Sequence, residues 1–154
     1  MLYRLLQFPA RIALHFYCRS LSVNCTKALR LHGPLILAAN HPNSFLDAIV
    51  MASIFRQPVY SLARGDAFVS GFVNRILYSF NMLPVFRISE GKENLENNYD
   101  TFDKVQALLK QNKTILIFSE GRCINEWHLR PLKKGTARLA ISAWKSGIPL
   151  RVLP

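Results

Sequence analysis

Five short apolar runs, separated by stretches of helical period, restrict the fold of this chain more than any other feature of its sequence. Residues 35–39 (LILAA) and 114–118 (TILIF) are the clearest. Runs of this length, rich in Ile and Leu, read as buried strands. Residues 59–63 (VYSLA), 83–86 (LPVF) and 150–153 (LRVL) are weaker examples. Helical segments are expected between them. These are residues 47–55, residues 66–80 with Gly71 as a weak point, a charged amphipathic helix within 94–111, and residues 132–146, stopped by Gly147. Phe102, Val105, Leu108 and Leu109 share one face of the third. The alternation predicts an α/β fold with a largely parallel central sheet flanked by helices. In such sheets functional loops gather at the carboxyl ends of strands. The 154 residues fit one domain, and 50% hydrophobic content is enough for a core at this size.

The first 21 residues form a separate unit. MLYRLLQFPARIALHFYCRSL is apolar except at Arg4, Gln7, Arg11, His15 and Arg19. Steps of three and four put those residues on one narrow helical stripe. The arginines argue against a spanning helix, because no run of eighteen uncharged apolar residues occurs. The expectation is an amphipathic membrane-interfacial helix over residues 1–21, its basic side chains reaching phosphate headgroups. Packing on the domain's own core and an organellar transit peptide are the weaker readings. Pro9 is the point where the helix can kink. Residues 22–154 form the second expected unit, the α/β domain. It ends where a strand has barely begun, so it is open to being truncated at its C-terminal end.

Lys and Arg number 20 against 9 Asp and Glu, a formal net charge of +11. Such a chain expects an anionic partner: nucleic acid, membrane or phosphorylated substrate. No acid precedes Asp47, whereas Arg4, Arg11, Arg19, Lys27 and Arg30 do, which favours anionic lipid. The aromatic residues form no RNA-stacking motif, so no nucleic-acid partner is expected. Cys18, Cys25 and Cys123 make no CxxC pair, and Cys123 with His128 supplies only two ligands. No metal is expected, and the cysteines suit a reducing compartment or its face of a membrane. The P-loop, GxGxxG and GxSxG patterns are absent from the sequence.

Two loops following strong strands carry the candidate chemistry. In NHPNSFLD, Pro42 keeps His41 out of the α region, and Ser44-x-x-Asp47 reads as a capping box opening a helix. The turn can also fold His41 back onto the Asp47 carboxylate, which would orient the imidazole as a base toward a hydroxyl. In SEGRCINEWHLRPLKKG, Gly121 permits a tight turn beside Glu120 and Arg122. Arg130, Lys133, Lys134 and Arg138 follow, and nine Lys/Arg against two acids occur from Lys110 onward. Two readings stand: a solvated basic face, or a phosphate pocket built from guanidinium forks. Arg87 could add a positive group from a third loop.

These residues stand in blocks that resemble the PlsC-type glycerolipid acyltransferases, which include the lysophosphatidic acid acyltransferases. NHPNSFLDAI is similar to the family's His-to-Asp signature. MLPVFR resembles the block whose arginine binds substrate phosphate. IFSEGR resembles its Phe-Pro-Glu-Gly core, LRPLKKGTARLA the segment that follows, and GIPLRVLP the strand ending in proline. The blocks keep the family's order over residues 33–154. Three details differ. Five residues separate His41 from Asp47 where four are usual, Ser119 replaces a proline, and Arg122 follows Gly121 without an intervening threonine.

The resemblance implies an O-acyltransferase of phospholipid biosynthesis. His41 and Asp47 would be catalytic. Arg87, Glu120, Gly121 and Arg122 would hold the acceptor phosphate, Glu120 by orienting an arginine or a turn. Lys133, Lys134 and Arg138 are secondary basic candidates. The donor would be acyl-CoA or acyl carrier protein, with no further cofactor, and the acceptor lysophosphatidic acid. Glycerol 3-phosphate, another lysophospholipid or an aminoacyl lipid are alternative acceptors, and a basic membrane-binding module is the non-enzyme alternative. The expected location is membrane-associated, peripheral on the cytoplasmic face.

Overall fold

The computed structural model describes residues 2–86, 97–126 and 128–154. Five strands, β1 (Leu35–Ala39), β2 (Val59–Arg64), β3 (Met82–Val85), β4 (Thr114–Phe118) and β5 (Arg151–Leu153), form one sheet in the order β3-β2-β4-β1-β5. Every pairing is parallel. The helices are α1 (Leu2–Tyr17), α2 (Phe45–Ile54), α3 (Gly71–Ser79), α4 (Asn97–Lys110) and α5 (Gly135–Lys145). The expected parallel α/β architecture is the one observed.

The strand side chains divide between two cores, as the two-residue period requires. Leu35 and Leu37 of β1, with Leu116 of β4 and Val59 of β2, pack on the α2 side with Phe55. Ile36 and Ile115 point the other way, into a core shared with Val105 and Leu109 of α4 and Leu139 and Ala143 of α5. β1 and β4, the central pair, are continuous apolar runs because both of their faces are covered. The crossovers β1→β2 and β2→β3 run toward one edge of the sheet, and β3→β4 and β4→β5 toward the other. Right-handed crossovers then place their helices on opposite faces. The connections leaving β1 and β4 therefore diverge, and a crevice opens at the carboxyl ends of these neighbouring strands.

Two sequence expectations change in detail. The helix expected over 66–80 is interrupted: a single 3-10 turn (Gly65–Ala67) precedes α3. Ser70 caps α3 by accepting the Val73 N–H at 3.4 Å, so Gly71 stands at the helix start, where its low propensity costs little. The helix expected from 132 begins only at Gly135. Lys133 is drawn out of helical pairing because its N–H donates to the Ser119 carbonyl at 2.7 Å.

α1 docks in an orientation its composition did not suggest. Two members of its polar stripe, Gln7 and Arg11, turn toward the domain and cap the carboxyl end of α2, while Arg4 and His15 stay exposed. Gln7 Nε2 donates to the carbonyls of Ala52 (2.8 Å) and Phe55 (2.9 Å), and Arg11 Nε to that of Ser53 (2.6 Å). The Tyr3 hydroxyl donates to Ala52 O at 3.2 Å and accepts the Val59 N–H at 3.1 Å. These side chains satisfy carbonyls that a helix end leaves without partners, and the Arg11 charge meets the negative end of the α2 dipole. Arg11 is thus engaged within the protein, which corrects the expectation that it reaches outward to headgroups. Tyr3 and Leu14 are buried, while Leu5, Phe8, Ile12 and Phe16 point outward. No helix among the described residues is long and apolar enough to cross a membrane.

Candidate active site

The turn after β1 folds His41 onto Asp47. Leu46 N–H donates to Asn43 O at 3.1 Å, closing a four-residue turn with Ser44 at φ 49° and ψ −118°. That geometry is a type II′ turn, which ordinarily takes glycine at this position. Within it the His41 Nδ1 and Asp47 Oδ2 lie 3.0 Å apart. The same carboxylate oxygen accepts the Asn43 N–H at 2.8 Å. An ionised carboxylate only accepts, so the pairing assigns the proton to Nδ1 and leaves Nε2 as the acceptor. Both side chains are 18% exposed, shielded yet reachable. Five intervening residues are thus compatible with the dyad, because the turn absorbs the extra one.

The capping box is corrected in its atoms. The Ser44 side chain makes no cap bond. Asp47 reaches back to Asn43 instead, and the Ser44 N–H donates across the crevice to Cys123 Sγ at 3.0 Å. This bond joins the two candidate loops, and sequence spacing carried no sign of it. His128 Nε2 lies 3.3 Å from Glu126 Oε2. No cluster of three or more His, Cys, Asp or Glu among the described residues could hold a metal ion.

The loop after β4 stands beside the dyad because β4 is β1's neighbour. Ser119 N–H donates to Ala39 O at 3.0 Å, extending the strand pairing by one residue into the loop. Glu120 is buried at 5% exposure, and its Oε1 accepts the Arg130 N–H at 3.4 Å. A buried carboxylate needs such partners to offset its lost hydration. Its contact is to a backbone turn, one of the two roles expected for it. Gly121 has φ +69°, a left-handed conformation, and a Cβ there would lie 3.1 Å from Lys133 Cγ. Arg122 is exposed, as are Lys133, Lys134 and Arg138 beyond it. Arg130 is turned toward Glu126, Nε to Oε2 at 3.5 Å. Arg87 lies outside the described residues.

The His41 imidazole also stacks on Phe118, with ring centroids 3.7 Å apart and planes at 12°. Phe118 reads from sequence only as the last apolar residue of a strand. Beneath α1, α2 and α3 lies a cavity of about 310 Å³. Its walls are apolar, formed by Phe45, Ala48 and Ile49 of α2, Ile76 and Leu77 of α3, Phe80 just after it, and Leu116 of β4. It begins at the turn of α2 that carries Asp47.

An oriented imidazole, a neighbouring loop bearing an outward arginine, and an apolar cavity reaching the same helix turn suit transfer of an apolar group to an oxygen acceptor. The Acyltransferase family model matches residues 20–154, well over half of the chain. The chain therefore belongs to the Acyltransferase family, the PlsC type, and its general reaction is acyl transfer.

Proposed function

We propose that this acyltransferase moves a fatty acyl group from acyl-CoA or acyl carrier protein to a free hydroxyl of lysophosphatidic acid, at a membrane surface. The observation that carries the reading is the His41–Asp47 pair at 3.0 Å, next to an apolar cavity of about 310 Å³. His41 Nε2 takes the acceptor's hydroxyl proton while Asp47 balances the charge on the ring. The oxygen attacks the thioester carbonyl carbon, the C–S bond breaks, and the departing thiolate recovers the proton from Nε2. A thiol of pKa about 8.5 is a good leaving group, so no acyl-enzyme is required. The acyl chain occupies the cavity. Arg122 and Arg87 hold the acceptor phosphate, on the strength of the family resemblance and, for Arg122, its exposed place beside the dyad. Lys133, Lys134 and Arg138 supply a diffuse positive field for phosphate and carrier.

The outward residues of α1 support peripheral membrane binding. Leu5, Phe8 and Phe16 are 71%, 69% and 84% exposed. Val69 and Phe72, at the start of α3 on the same side of the sheet, are 77% and 76% exposed. Apolar side chains in such numbers on one side suit a bilayer interface. Arg4 and Arg19, both exposed, then meet lipid phosphate. We place the protein on the cytoplasmic face, consistent with its three free cysteines.

The test is thiol release from a long-chain acyl-CoA, with and without lysophosphatidic acid, for this chain and for His41→Ala. Acceptor-dependent release that falls by about 10²–10⁴ in the variant is expected. Near-normal turnover in a folded His41→Ala protein would remove the base role. Release with glycerol 3-phosphate alone would change the acceptor and leave the mechanism standing.

A further inference from the structure

We infer that Phe118 is a positioning residue for the reaction, setting the plane of the His41 ring. The inference rests on the reading of His41 as the base. It starts from sheet register. Ala39 pairs with Phe118 in the parallel β1–β4 ladder. Residues 35, 37 and 39 of β1 and 116 and 118 of β4 belong to the α2-side core. His41, two residues beyond Ala39, continues that alternation past the strand end. Pro42 holds His41 in extended backbone, which keeps the alternation going. Ala39 carries only a methyl group, so nothing bulky separates the Phe118 ring from the imidazole that follows.

The hydrogen bond to Asp47 does not orient His41 completely. It fixes Nδ1 at one point, but the ring can still turn about the Nδ1–Oδ2 line, and that turn sweeps Nε2 through an arc. A parallel neighbour at 3.7 Å and 12° removes the rotation. Together the carboxylate and the phenyl face leave Nε2 a single direction. Two neutral rings prefer offset or edge-on contact over parallel stacking. An imidazolium over a phenyl face is instead attracted by the ring quadrupole. The stack is therefore most favourable once His41 holds the acceptor's proton, the state that develops during transfer. Phe118 is itself anchored by the α2-side core, so the support is rigid.

Two substitutions separate positioning from packing. Phe118→Leu keeps the apolar contact with the core and removes the aromatic face. Phe118→Tyr keeps the face. With acyl-CoA and lysophosphatidic acid, Phe118→Leu is expected to lower kcat about tenfold, with both KM values within about twofold, because no substrate contact is lost. Phe118→Tyr restores most of the rate. A readout independent of activity comes from proton NMR. The carbon-bound imidazole protons of His41, assigned by their absence in His41→Ala, lie upfield through the Phe118 ring current. They move downfield in Phe118→Leu and stay upfield in Phe118→Tyr. Unchanged resonances and kcat in Phe118→Leu overturn the inference, as does Phe118→Tyr impaired as severely as Phe118→Leu. An upfield His41 signal together with an active His41→Ala protein would instead locate the failure in the base reading. The absence of that signal beside an inactive His41→Ala protein would sink the stack alone.

Discussion

At Asp47 one carboxylate oxygen does two things: it receives the Asn43 N–H that closes the turn and it faces His41 Nδ1. Asp47→Asn keeps the shape of the side chain but offers an amide, which supports no charge on the ring and can select the wrong tautomer. Turnover is expected to fall about 10²–10⁴-fold, with near-native circular dichroism as the control. Ser44 makes the opposite case. Its backbone at φ 49° and ψ −118° is glycine territory, and its side chain caps nothing. Ser44→Gly is expected to stabilise the protein by about 1 kcal/mol, read as a melting temperature higher by about 2–4 °C. A lower melting temperature would mean that the turn is not strained. The His41–Asp47 dyad was legible as a spacing in the sequence. The Ser44–Cys123 and His41–Phe118 contacts were not, because each joins residues 77 or 79 positions apart, which only strand register brings together.

Among the elements, α1 shows how composition and docking can disagree. A helix with one polar stripe and three apolar sides is expected to bury apolar surface and expose the stripe. Here the open carbonyls at the end of α2 draw Gln7 and Arg11 of the stripe inward, since buried carbonyls must be paired. Arg11→Met leaves the Ser53 carbonyl without its donor, and a loss of about 1 kcal/mol is expected in chemical denaturation, given that Arg11 is solvent-exposed. Burial of Tyr3 pushes its phenol above the ordinary value of 10.0. The folded state then retains a proton that the unfolded chain has lost. Stability from this group is intact below about pH 10 and declines as pH rises from there through the folded-state value. Tyr3→Phe should flatten that alkaline decline, as seen in melting temperatures across pH 9–11. The cavity offers a third handle on the same layer. Ala48→Leu projects bulk into it and should shift acyl preference toward shorter chains, measured by competition between acyl-CoAs. An unchanged preference would place the chain elsewhere.

For the whole molecule, the decisive fact is divergence of the β1 and β4 connections, which puts the dyad and the Glu120 loop in one crevice. The same crossover directions put α2, α3 and the cavity on one side of the sheet, with α1 against that layer. The outward apolar residues therefore lie on the side where the acyl chain is proposed to enter. Replacing Phe8 and Phe16 together by Ser should lower partition onto anionic phospholipid vesicles by at least about tenfold, while release from a water-soluble short-chain acyl-CoA stays near normal. Equal partition of the variant would remove α1 from the membrane contact. Sequence by itself determined the α/β class and the strands LILAA and TILIF, and it offered the His41–Asp47 pairing as one of two readings of the turn. Each of these depends on local period, length or a turn of a few residues. Strand order, the inward turn of Gln7 and Arg11 on α1, the burial of Glu120 and the stacking of His41 on Phe118 were decided by tertiary structure alone. They arise from competition among distant groups for partners and burial, and no local pattern in the chain encodes that competition.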